Sequence, residues 1–172
     1  MVAPLFVLVG GWPAAGKSTL AVALATELGL PLLAKDEVKE ALVDALGPPA
    51  DVPASQRLGR AAVLAVLRVA ARCPGAVLDG TWFEYTRPLL AALPGRRVEV
   101  RTVLPRELAR DRYRARAAGR HPGHLDLARS EDELWGRPIP PLGVGPLVEV
   151  DTTGLVDAPA LAARLRAVAG RP

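Results

Sequence analysis

Gly11-Trp12-Pro13-Ala14-Ala15-Gly16-Lys17-Ser18 decides how the rest of the sequence is read. The stretch matches G-x-x-x-x-G-K-[S/T] without a mismatch. The glycines let the backbone curl, so that successive N–H groups can point inward at phosphate oxygens. Lys17 can reach the β- and γ-phosphates, and the Ser18 hydroxyl can ligate Mg²⁺. A following helix would aim its positive end at the same phosphates. The context agrees, because residues 5–9 read as a buried strand and residues 17–28 as a helix. A chance match in an Ala/Gly-rich chain is the competing reading, and this strand–loop–helix context argues against it. Gly11, Pro13, Ala14, Ala15, Gly16, Lys17, Ser18 and the adjoining Thr19 are therefore expected to bind a nucleoside triphosphate with Mg²⁺. The loop alone leaves the reaction open.

Outward from the loop, short apolar runs alternate with longer helical patterns. Strands are expected at residues 5–9, 32–34, 76–78, 97–104 and 147–150. Helices are expected at residues 17–28, 36–46, 55–72, 84–93, 105–118 and 157–169. Gly29, Gly47-Pro48-Pro49, Pro74-Gly75 and Pro94-Gly95 punctuate them. Such alternation implies a parallel sheet with helices on both faces. Residues 119–145 are the least regular and carry Pro122, Pro138, Pro140 and Pro141; they read as a lid followed by an irregular connection. One domain over residues 1–172 is expected, with its lid at about residues 112–130.

Composition bounds the possibilities. The chain has 172 residues, half of them hydrophobic, enough to bury a core in one domain. A single cysteine, Cys73, excludes an intrachain disulfide framework and a four-cysteine zinc site, and suits a reducing cytoplasm. No secretory leader is visible, and the apolar run at residues 61–67 is far shorter than the roughly 20 residues a membrane helix needs. A soluble, cytoplasmic protein without a membrane partner is expected; its oligomeric state is not legible. The formal charge of +4 suits anionic ligands, or a mere surface bias. The distribution says more: lysine occurs only as Lys17, Lys35 and Lys39, whereas arginines crowd between Arg106 and Arg120.

Lys35-Asp36-Glu37-Val38-Lys39 follows the second strand. In an open α/β sheet the carboxyl ends of strands border the ligand crevice, which brings Asp36 near the γ-phosphate. It could accept the proton of an acceptor hydroxyl or orient that hydroxyl for in-line attack. It is also a good helix N-cap. Lys39, one turn on, could hold the acceptor or neutralise charge, while Glu37 and Glu40 read as solvent-facing. Ala76-Val77-Leu78-Asp79 ends an apolar strand in a carboxylate, so Asp79 is the candidate partner of Ser18 in holding Mg²⁺. Trp82, Phe83 and Tyr85 come next and could wall an acceptor pocket or pack as core. Arg87 could reach an anionic acceptor or a phosphate.

Arg112, Arg116 and Arg120 recur at i, i+4, i+8 and share one helix face; Arg106, Arg110 and Arg114 form a second stripe. The first stripe could close over the nucleotide, stabilise charge on the transferring group and exclude water. The alternative is a solvated basic face paired with Glu107 and Asp111. His121 and His124 lack the further ligands of a metal site and better fit lid hydrogen bonding or acceptor contact. The last strand runs into Asp151-Thr152-Thr153-Gly154, a turn that could meet the adenine near Thr153, although turn chemistry explains these residues equally well.

In this order the elements resemble the AAA_33, or zeta-toxin-like, group of small P-loop kinases. That group is similar to chloramphenicol phosphotransferase, gluconate kinase and the kinase domain of polynucleotide kinase. Asp36 with Lys39 resembles the segment carrying the catalytic Asp and a basic residue three positions later. Asp79 and Arg87 resemble the Asp of the third strand and the Arg of the next helix. Arg112 and Arg116 resemble the lid pair, whose second member contacts the transferring phosphate. Lys39 stands where the group usually carries Arg or another residue, and residues 121–124 match no motif of the group. The resemblance implies a P-loop NTPase three-layer sandwich, with a five-stranded parallel sheet ordered 2-3-1-4-5 and a helical lid.

The expected activity is ATP-dependent transfer of the γ-phosphate to a hydroxyl of a small molecule such as an antibiotic, nucleoside or sugar. Lys17, Asp36 and Arg116 would be catalytic, and Arg112 and Arg120 would contact nucleotide. Asp36, Lys39, Asp79, Trp82, Arg87 and His121 would face the acceptor. Two other readings are a 5′-hydroxyl polynucleotide kinase and a non-catalytic ATP-binding resistance or switch protein. The basic helix comes with no aromatic-rich binding signature, and the chain is small, so nucleic acid is not the expected partner.

Overall fold

The computed structural model describes residues 3–170. Five strands form one all-parallel sheet: β1 (Leu5–Gly11), β2 (Leu32–Ala34), β3 (Gly75–Asp79), β4 (Arg96–Val103) and β5 (Leu147–Asp151). Their order is β2-β3-β1-β4-β5, as expected. The helices are α1 (Lys17–Leu28), α2 (Lys35–Leu46), α3 (Val52–Ala70), α4 (Arg87–Ala91), α5 (Arg106–Ala117), α6 (Glu131–Trp135) and α7 (Ala158–Ala169).

Alternation along β1 splits the core into two layers. Val7 and Val9 point to one face and pack with Leu20 and Leu24 of α1 and Leu161 and Leu165 of α7. Phe6 and Leu8 point to the other, against Val63, Val66 and Leu67 of α3 and Leu90 of α4. Burial on both faces is why β1 and β3 read as continuous apolar runs rather than alternating ones. The result is the three-layer sandwich of a P-loop NTPase. No helix among the described residues is long and apolar enough to cross a membrane.

Several boundaries differ from the expected ones for local reasons. β1 runs on through Gly11, because Gly10 and Gly11 pair with Arg101 and Thr102 of β4. Gly11 has φ +137°, and a Cβ there would collide with the Thr102 hydroxyl and lie 2.8 Å from its carbonyl oxygen. The first glycine of the phosphate motif therefore serves sheet closure. α3 starts ahead of residue 55, since the Asp51 carboxylate accepts the Ala54 N–H at 2.7 Å and a proline occupies its first turn. The helix expected at residues 84–93 is a 3-10 turn, Glu84–Thr86, followed by the short α4 with a proline in its first turn. α5 ends at Ala117, within one residue of the expected end, so Arg120 lies past the helix whose face it was expected to continue. Residues 119–145 contain 3-10 turns at Pro122–His124 and Asp126–Ala128, and α6, which a Ser130/Glu133 capping box starts.

The irregular connection after α6 is fastened by Glu99 of β4. Its buried carboxylate accepts the N–H groups of Leu142 and Val144, each at 2.7 Å. Leu142 then completes the α3-side core. Glu99→Ala strands both amides, and urea unfolding should read a loss of about 2–4 kcal/mol. Glu99→Gln keeps one carbonyl acceptor and should lose less. Equal stability of Glu99→Ala and the native protein would contradict this account.

Candidate active site

The phosphate loop leaves the middle of the sheet at the end of β1 and enters α1 at Lys17. Gly16 is the N-cap of α1 with φ +76°. Ala14 is also left-handed, φ +56°, although it has a side chain. Such a conformation costs about 1–2 kcal/mol. The Ala14 methyl is in return buried with Ala109, Tyr113 and Trp135 at the base of the lid. Trp135 meets Trp12 and Tyr113 edge-on, at 5.9 and 6.1 Å between centroids. Behind the loop, the Thr152 hydroxyl donates to the Ala15 carbonyl at 2.9 Å. Lys17 Nζ arches over the loop to the Trp12 carbonyl at 2.6 Å. Burial pulls its ammonium down to about 8, with Asp79 and Asp36 opposing.

The loop opens into a cleft of about 830 Å³. Residues 13–19, Lys35, Asp36, Lys39, Asp79, Trp82, Arg116 and Arg120 line it. Asp79, at the end of β3, is 5% exposed, with Ser18 beside its carboxylate. Burial pushes the Asp79 carboxyl up, and Ser18 and Lys17 oppose this only in part. A cation between Ser18 and Asp79 would offset that burial, and two hard oxygen donors fit Mg²⁺. Arg116 projects from α5 into the cleft with its guanidinium 5.7 Å from the Tyr113 ring. Burial and the neighbouring Arg120 lower its proton affinity.

Asp36 does not cap α2. The cap position is Ala34, without a side-chain bond, because α2 begins at Lys35 and Asp36 falls inside its first turn. Its carboxylate is engaged sideways instead. Lys35 Nζ lies 2.9 Å from one oxygen and Arg120 Nη2 lies 2.8 Å from the other. Arg120 Nη1 also holds Asp126 at 3.0 Å. Burial raises the Asp36 carboxyl, but the charge and hydrogen bond of Lys35, then His124 and Arg120, outweigh it and hold the group well below the usual carboxylate range. Lys39 is buried and donates to Ser55 Oγ at 2.7 Å; Ser55 in turn donates to the Gly123 carbonyl at 2.8 Å. That relay joins α2, α3 and the lid.

Other expected site residues lie elsewhere. Gly11 stays in the sheet. Arg112 does not line the cleft; it donates to the Thr152 and Thr153 carbonyls, both at 2.9 Å, and so clamps the turn after β5. Thr153 is exposed and gives its N–H to Asp151. Arg87 pairs with exposed Glu84 at 2.7 Å and does not line the cleft. His121 also lies outside it: Nδ1 accepts from the Gly123 N–H, which leaves Nε2 to donate to Asp44 at 3.0 Å. His124 is buried, and its Nε2 meets Glu40 at 2.7 Å, so Glu40 is a lid contact rather than a solvent-facing residue. Burial keeps the His124 imidazole below its ordinary value, with Asp36 and Glu40 opposing. In the second arginine stripe, Arg110 and Arg114 pair with Glu131 of α6, and Arg114 with Asp111, while Arg106 donates to the Trp135 carbonyl. Sequence reasoning missed Lys35, Ser55 and Asp126. Only Lys35 sat inside a recognised motif; the partners of the other two are distant in the chain.

A family model described as AAA_33, AAA domain, matches residues 6–134, and the chain belongs to that family. A candidate kinase from Chloroflexus aurantiacus J-10-fl is similar at 32% identity and a TM-score of 0.82, over 98% of this chain and 99% of that one. A gluconokinase from Sinorhizobium meliloti 1021 shares the fold at 19% identity and a TM-score of 0.63, covering 98% and 95%. Shikimate kinase from Acinetobacter baumannii does so at 18% identity and 0.55, covering 96% and 92%. No curated protein matches the chain.

Burial pulls the Lys39 ammonium down to about 8, helped by the charges of Lys35 and Arg129. Below about 8 the native and unfolded chains both keep this proton, and the buried charge opposes folding in full. Between about 8 and the ordinary value of 10.5 the native state has lost it while the unfolded state still holds it, so stability rises with pH. Urea unfolding at about pH 7 and about pH 10 should therefore shift the difference between native protein and Lys39→Met in favour of the native protein. A difference that stays flat would contradict the burial argument.

Proposed function

We propose that this AAA_33 family member is an ATP-dependent phosphotransferase that moves the γ-phosphate to an alcohol oxygen of a small molecule. The carrying observation is the Asp36 carboxylate, fixed between Lys35 and Arg120 in the wall of the cleft into which the phosphate loop opens. An ionised carboxylate at that place can accept a hydrogen bond from an acceptor hydroxyl, besides tying the lid to α2 through Arg120. Gluconokinase and shikimate kinase share the fold and are named for small acceptors, which supports a small acceptor here. Asp36 and Arg116 also carry the likeness to the chloramphenicol phosphotransferase and polynucleotide kinase subgroup.

The chain's own groups divide the work. Backbone N–H groups of the loop, Lys17 and Arg116 would neutralise phosphate oxygens as negative charge spreads over them. Ser18 and Asp79 would hold Mg²⁺, which when bound screens charge between the β- and γ-phosphates. Asp36 would accept a hydrogen bond from the acceptor hydroxyl and turn its oxygen toward the γ-phosphorus. The new O–P bond forms as the bond from the γ-phosphorus to the bridging oxygen breaks, and ADP departs. A carboxylate held so far below its usual range is a weak base, so Asp36 acts first as an orienting group. The hydroxyl proton leaves late, as a loose transition state permits, passing to the Asp36 carboxylate and from there to solvent. Arg120, tied to both Asp36 and Asp126, would bring the lid down over the reacting groups and exclude water.

Asp36→Asn should lower acceptor-stimulated ADP formation by at least about 100-fold while calorimetric ATP affinity changes little. Arg116→Ala should lower kcat by about 10²–10³ with a smaller effect on KM for ATP. Unchanged turnover in both variants would point to a protein that binds ATP for another purpose.

A further inference from the structure

The aromatic residues that follow β3 have two different fates. Trp82 is core: it is buried, and its Nε1 donates to the Val9 carbonyl at 3.0 Å. Phe83 and Tyr85 remain 50% and 45% exposed. Their rings stack on each other, with centroids 6.3 Å apart and planes inclined by 18°, on the wall of the cleft that contains Asp36. Every other Phe, Tyr or Trp of the chain is buried or half-buried. In a chain this poor in aromatics, the two exposed rings stand together inside one cleft. Such faces attract flat partners, because stacking adds to the area buried.

A second observation concerns α3. Its residues Gln56, Gly59, Arg60 and Val63 follow helical spacing and line the same cleft. Glycine inside a helix is unfavourable, and packing does not require it at position 59. A Cβ there would meet only the end of Lys35, at 3.6 Å, an ordinary contact. The missing side chain leaves a bare strip of cleft wall beside Lys35, the residue that holds Asp36. Arg60 is close enough for its charge to bear on the Tyr85 hydroxyl. A bare strip and a stacked aromatic pair are what a flat ligand needs, and neither helps the fold.

Resting on the phosphotransfer reading, we propose that the acceptor is an alcohol carrying a planar ring, which stacks on Phe83 and Tyr85 and lies along the Gly59 strip with its hydroxyl toward Asp36. An aryl alcohol and a nucleoside both meet that description, since each offers a π-face and a hydroxyl. A ringless polyol or open-chain hydroxy acid does not.

The test measures γ-phosphate transfer to three acceptor sets: nucleosides, aryl alcohols without a sugar, and ringless polyols. Native protein should show kcat/KM at least about 10-fold higher for one of the ringed sets than for the polyols, and the favoured set identifies the source of the ring. Phe83→Ala and Tyr85→Ala, both at exposed side chains, should erase that advantage mainly through KM. Gly59→Ala should raise KM for ringed acceptors while raising Tm, a combination that a purely structural glycine would not give. Preference for polyols, or variants that weaken all acceptors equally, overturns the ring proposal and leaves phosphotransfer standing. Transfer to no acceptor in any set overturns the phosphotransfer reading, and this one with it.

Discussion

The architecture depends on β1 being paired on both sides and covered on both faces. A strand buried this way must satisfy its backbone through β3 and β4, which fixes its register against each. Where β1 ends, the chain has to turn at the centre of the sheet edge, and the phosphate loop occupies that position. The register delivers the rest. Val9 is level with Asp79, so the carboxylate arrives beside the loop as the last residue of β3. Gly11 is level with Thr102, and the close approach there admits no side chain. Farther across, β5 brings Thr152 under the Ala15 carbonyl.

Electrostatics then shows what the cleft lacks. Burial disfavours the charged forms of Lys17, Lys39 and Arg116, and also that of Asp79. Cations and a carboxylate are held together, each short of compensation. A polyphosphate would relieve the cations and a divalent metal would relieve Asp79, so the two would complement the site as a pair. Asp36 is the exception: Lys35 and Arg120 hold it ionised without any ligand. Arg120 also ties the lid to α2, and Arg112 ties α5 to the turn after β5. The three arginines that share a spacing thus do three jobs: Arg112 anchors, Arg116 faces the cleft, and Arg120 clamps.

How far the sequence predicted this follows from the range of each interaction. The phosphate loop and the strand–helix alternation were legible because local pattern determines them, whereas the sheet order came from the resemblance to small P-loop kinases. Asp36 was open to a reading as a cap, but α2 starts at Lys35 and its cap is Ala34, two positions earlier. Helical spacing put Arg112 and Arg116 on one face but could not say that the carbonyls after β5 would claim Arg112. The lid contacts were illegible for another reason. Ser55 with Gly123, and His124 with Glu40, are pairs joined only by the folded chain. The exposed pair Phe83 and Tyr85 looked identical in sequence to buried Trp82, because nothing local distinguishes a ring facing the core from one facing a cleft.

The central claim is that the phosphate held by residues 11–18 is handed to an alcohol rather than to water. The most direct measurement incubates the protein with Mg²⁺ and ATP labelled in its γ-phosphate, in the presence of mixed small alcohols, and follows the label. The account predicts label in an organic phosphate ester, formed in step with ADP and lost with Lys17→Ala. Label found only in inorganic phosphate, or left entirely in ATP, would contradict it.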